Sequence, residues 1–209
     1  MLCELEDMFC SLVVEKPRLQ TELRQVISNT VKACDVTRRI INNEGNSAYN
    51  QKSLSLIKIK GEKLASETLR LLTSLAGEAG RPAHSNSRKI VCGSLVISNM
   101  EKIMRILSRM AEIRMELAKM EESALSVEIV SLTITTLEAL KTCLSRLSSS
   151  FKGVAYINDI SVNIDFERKI QHAFETAVDK DDLDNSYKAL EMIGSVESLN
   201  RSINWCGKY

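Results

Sequence analysis

ISNMEKIMRILSRMAEI, residues 97–113, is echoed by IGSVESLNRSINW, residues 193–205. A step of 96 residues places Ile97 on Ile193, Met100 on Val196, Glu101 on Glu197, Ile103 on Leu199 and Arg105 on Arg201. Both copies read apolar-Glu-x-apolar-x-Arg, with the apolar positions at helical intervals. Self-similarity over so long a period is the mark of a supersecondary unit built twice, and this reading sets the fold.

The flanking sequence has the composition of a helical protein. Leu, Ile, Met, Ala, Glu, Lys and Arg dominate, with two prolines and eight glycines as punctuation. An i, i+3/i+4 stripe through Leu19, Leu23, Val26, Ile27, Thr30, Val31, Cys34, Arg38 and Ile41 predicts a first helix over 18–43, closed by NNEGNS. A second helix follows over 51–75, in which Gly61 is a cost of roughly 1 kcal/mol against Ala. Gly77, Gly80 and Pro82 end it. SNSRK offers an N-cap at Ser85 or Ser87 for a long third helix running toward Leu117. The second half repeats the layout with helices over 125–147, 156–178 and 183–205.

The predicted fold is therefore all-α, with six helices in two tandem three-helix bundles, residues 1–120 and 121–209. Short links leave up-down antiparallel packing as the arrangement of neighbours. The apolar stripes lack strict heptads, which argues against an isolated coiled coil.

At 209 residues the chain can bury a core without covalent staples. Its six cysteines (Cys3, Cys10, Cys34, Cys92, Cys143, Cys206) show no Cys-x-x-Cys pair and read as reduced, buried small hydrophobes of an intracellular protein. A net charge of +1 and an aromatic content of 4% give neither the basic face nor the stacking platforms expected of a nucleic-acid binder. Glu4, Glu6 and Asp7 stand where a signal peptide would be basic. No window approaches the roughly 18 apolar residues of a membrane span. The expectation is a cytoplasmic protein without direct membrane insertion.

Enzyme signatures are lacking. No phosphate-cradling Gly-rich loop occurs, and His84 and His172 have no partner motif. Cys92 and Cys143 lie on apolar helix faces, which suits packing rather than nucleophilic attack. The acids Asp179, Asp181, Asp182 and Asp184 read as a helix start complementing the dipole, since the Gly and terminal Glu of a calcium loop are missing. A di-iron enzyme would demand Glu-x-x-His on two helices, and none is present. That leaves Glu101/Arg105 and Glu197/Arg201, each an i, i+4 pair able to form an ion pair along its own helix.

With VISNMEKIMR at 96–105 and GSVESLNR at 194–201 in corresponding places, the chain resembles the PhoU family of phosphate-uptake regulators. Pro82, Arg88 and Glu101 keep a spacing similar to that of family members. The resemblance implies two tandem three-helix units and a non-enzymatic regulator of phosphate transport or phosphate-starvation signalling. It implies docking to the ATPase of a phosphate ABC transporter and to a sensor kinase, with a homo-oligomer left open. The family's Glu-x-x-x-Asp motif holds an iron or zinc cluster, but here Arg105 and Arg201 stand in place of the Asp. Arginine cannot ligate a cation. The metal motif is thus degenerate, with Glu101, Glu197, Asp159 and Asp165 as vestigial ligands, no cofactor expected, and each arginine neutralising its glutamate. The alternative reading is a helical adaptor or effector that shares the bundle without a phosphate role.

Overall fold

The computed structural model describes residues 16–78, 84–118, 125–150, 165–177 and 183–206, and every regular element among them is an α-helix. These are α1 (Pro17–Ile41), α2 (Ser47–Glu78), α3 (His84–Leu117), α4 (Val127–Ser150), α5 (Asp165–Ala177) and α6 (Leu183–Cys206).

Local chemistry sets the ends. Pro17 opens α1 at the position where its missing N–H would have no partner anyway. At the other end Asn43 takes the left-handed conformation, φ 54°, and its N–H bonds to Ile40 O while that of Glu44 bonds to Arg39 O. This is a Schellman closure made by Asn rather than Gly. Gly45, φ 74°, completes the turn. Asn46 then caps α2, its Oδ1 accepting from the Tyr49 N–H at 3.0 Å, and Ser126 Oγ does the same for Ile129 in α4 at 3.3 Å. The N-cap expected at Ser85 or Ser87 is displaced, because α3 already starts at His84. Of the fifth helix expected over 156–178, 165–177 is seen as α5; residues 156–164 and 178, Asp159 included, lie outside the described residues.

Helices α1, α3, α6 and α4 close a cycle of contacts, each packing on the next and α4 returning to α1. α2 lies against α1 and α3, and α5 against α4 and α6. On α1 the predicted stripe is buried at Leu19, Leu23, Val26, Ile27, Thr30, Cys34 and Ile41, joined by Asn29, Ala33, Thr37 and Ile40, while Val31 and Arg38 are only half-buried. On α3 it widens to include Ile103, Leu107, Met110, Ala111 and Ile113, all fully buried, because this helix meets α1, α2 and α6 together. Each such large side chain contributes about 1.5–3 kcal/mol on burial.

The 96-residue step also carries burial with it. Val96, Ile97, Met100, Ile103 and Leu107 are buried on α3, and Met192, Ile193, Val196, Leu199 and Ile203 are buried on α6. The backbone carbonyls of the last pair are met in the same way: Thr37 Oγ1 of α1 approaches Leu107 O at 3.5 Å, and Cys143 Sγ of α4 approaches Ile203 O at 3.8 Å. Between α1 and α4, Lys141 Nζ donates to Asp35 Oδ1 at 2.8 Å, and Arg38 Nε lies 3.7 Å from Glu138.

Candidate functional site

The two copies of the Glu-x-x-x-Arg motif meet different surroundings. On α6, Arg201 Nη2 donates to Glu197 Oε1 at 2.5 Å, an i, i+4 pair with Arg201 71% and Glu197 40% exposed. On α3, no ion pair joins Arg105 to Glu101 among the described residues. Both instead line a cavity of about 220 Å³ between α1, α2 and α3. Its floor is apolar, formed by Val26, Ala65, Met100 and Met104, while Lys58 and Glu62 of α2 face the motif residues across the opening. The Thr30 hydroxyl is turned to its own helix, donating to Val26 O at 3.0 Å.

Gly61 shapes this cavity. A Cβ there would come within 2.9 Å of Asn29 Nδ2 and 3.6 Å of Met104 Cε. The missing side chain lets Asn29 reach across from α1 and donate to Ile57 O at 2.7 Å. A glycine that costs helix propensity thus admits a part-buried interhelical hydrogen bond.

These residues do not suit the iron or zinc cluster that the resemblance implies. Glu197 is held by Arg201, and Glu101 and Glu62 share their cavity with Arg105 and Lys58, so fixed positive charge already matches these carboxylates. Among the described residues no group of three or more His, Cys, Asp and Glu could hold a metal ion. Asp165 begins α5 with its side chain outside the described residues, as is the side chain of His84. His172 is exposed on α5, far in sequence from either motif. The Cys34 thiol is pushed up to about 12, chiefly by burial and then by the neighbouring Asp35 charge. Buried and protonated, it is no nucleophile. The side chain of Cys92 lies outside the described residues, and Cys143 is buried.

A stronger ionic centre lies between α3 and α6. Arg109 donates through Nε and Nη2 to both oxygens of Glu191, at 2.5 and 2.8 Å, and its Nη1 lies 3.3 Å from both Glu112 and Glu116. Lys188 of α6 donates to the other oxygen of Glu116. This hydrogen bond, ahead of the charges of Lys188 and Arg109, holds the Glu116 carboxyl below its usual range. Glu191, in turn, raises the Arg109 guanidinium further above its already high value. Sequence spacing offers Arg109 to Glu112 as an i, i+3 pair; the partners on α6 are invisible until the helices are docked.

No helix among the described residues is long and apolar enough to cross a membrane. No family model, curated protein or solved structure matches the chain.

Proposed function

We propose that the chain is a non-enzymatic regulator of phosphate transport or phosphate-starvation signalling. In this reading it is made of two tandem three-helix repeats, 1–120 and 121–209, with up-down antiparallel packing, and works in the cytoplasm by docking to a transporter ATPase or a sensor kinase. The observation that carries the repeat is the burial of five equivalent positions on α3 and α6 at one constant step, with the motif glutamates between them. What supports docking is the outward face of α2, where Tyr49, Leu56 and Ile59 are 68%, 59% and 64% exposed on one side of the helix. Exposed large apolar residues in a group are characteristic of interaction surfaces.

Affinity capture from the native cell tests this. Wild-type protein should recover the transporter ATPase or the kinase, and Leu56→Asp with Ile59→Asp should lose it. Reproducible recovery of partners unrelated to phosphate would select the adaptor reading instead.

A further inference from the structure

A second concavity, of about 610 Å³, runs over α1 between α2 and the C-terminal end of α4. It is unlike the motif cavity in charge. Arg24 and Lys32 on α1 and Lys60 on α2 line it, and no acidic side chain is found among its described lining residues. No carboxylate pairs with any of these three cations among the described residues, although ion pairs are plentiful elsewhere on the same helices. The remaining wall is mostly neutral hydrogen-bonding groups, including Ser28 on α1 and Ser148 on α4, with Leu64 the one aliphatic residue and no aromatic ring.

We propose that this groove binds a chain of phosphoryl groups, a linear polyphosphate-type anion. Three uncompensated cations on a concave wall concentrate negative charge and prefer multivalent oxyanions to single ones. Arg24 and Lys32 are separated by eight residues, roughly 12 Å of helix axis. A chain of linked phosphates gives each cation its own oxygens, while hydroxyls donate to the rest. Without an aromatic platform the groove offers nothing for a nucleobase to stack on, which separates this ligand from a nucleotide or single-stranded nucleic acid. Lys60 stands one turn from Leu56, so the groove adjoins the α2 docking face, but its anion binding does not depend on the phosphate-regulation reading.

Calorimetric titration of the full chain with sodium tripolyphosphate at about 150 mM salt tests the assignment. One-to-one saturable binding is expected, tighter than that of orthophosphate. Arg24→Gln, Lys32→Gln and Lys60→Gln should each weaken it about tenfold, as befits loss of one charge-assisted contact. Lys63→Gln is the control, since this lysine sits on α2 outside the groove and 3.9 Å from Glu67; it should bind as wild type does. All four positions are exposed, so the variants should melt with the wild type. Absence of saturable binding overturns the proposal, as does equal weakening by Lys63→Gln or tighter binding of ATP than of tripolyphosphate. Groove variants that lose stability while binding stays unchanged also overturn it, because the cations would then serve only to complement the terminal carbonyls of α4.

Discussion

Arg109 on α3 grips Glu191 on α6 through two parallel hydrogen bonds, Nε to Oε1 at 2.5 Å and Nη2 to Oε2 at 2.8 Å. The two residues are 82 positions apart and join the two halves of the chain. Fork-to-fork geometry makes this the strongest class of ion pair, yet both side chains keep solvent contact, which screens it. A double-mutant cycle with Arg109→Met and Glu191→Leu, followed by urea unfolding, should give a coupling of about 1 kcal/mol. A coupling near zero would show that the α3–α6 contact rests on apolar packing alone.

The same centre predicts an acid limb in the stability profile. Glu116 has its carboxyl held low in the folded protein, by Lys188 first and Arg109 after it. Its stabilisation is fully present above the unfolded value, about 4.3, and is lost as pH falls through the lower folded value. Lys188 and Arg109 stay charged throughout, so the loss belongs to the carboxylate. The urea midpoint of wild type should therefore fall more steeply below about pH 4.3 than that of Glu116→Gln, with the two curves converging in acid. Parallel curves over that range would remove Glu116 from the account.

What the sequence made legible follows from what is local. The α1 stripe and its closure at NNEGNS rest on residues within a few turns of each other, and periodicity reports these directly. Two things were hidden for a shared reason. Gly61 reads only as a propensity cost because Asn29, the group it admits, lies on another helix. Arg109 has no sequence signal of its own because Glu191, its partner, comes from the other half of the chain. The motif arginines were legible as residues but not as contacts: the same spacing gives an ion pair at Arg201 and none at Arg105, where the α1–α2–α3 cavity opens.

That asymmetry bears on the metal. If the motif arginines leave no room for a metal, protein purified without added metal should show neither iron nor zinc in stoichiometric amount by elemental analysis. Arg201→Ala should change stability by no more than about 0.5 kcal/mol, since an exposed i, i+4 pair is worth little more. Arg105→Asp with Arg201→Asp creates two Glu-x-x-x-Asp spacings and should raise zinc uptake over wild type, measured by equilibrium dialysis. Stoichiometric iron or zinc in the wild-type chain would sink the idea that the arginines took over the cluster's charge role.

Gly61 and Asn29 allow the sharpest test of packing, because one substitution should change sign with the other. Gly61→Ala gains about 1 kcal/mol of helix propensity in isolation. Its Cβ, however, meets Asn29 Nδ2 at 2.9 Å, and that nitrogen is anchored to Ile57 O at 2.7 Å. Relief requires breaking or lengthening this part-buried bond, and a displaced amide there loses about 1–3 kcal/mol. The single variant should accordingly be destabilised by about 1 kcal/mol net. Asn29→Ala alone loses the hydrogen bond and should cost a similar amount. In the Asn29→Ala background the obstruction is gone, Met104 Cε at 3.6 Å is in ordinary contact, and Gly61→Ala should become stabilising by up to about 1 kcal/mol. Thermal unfolding of the four proteins measures this directly. If Gly61→Ala destabilises equally in both backgrounds, the close approach of Asn29 is not what selects glycine at this position.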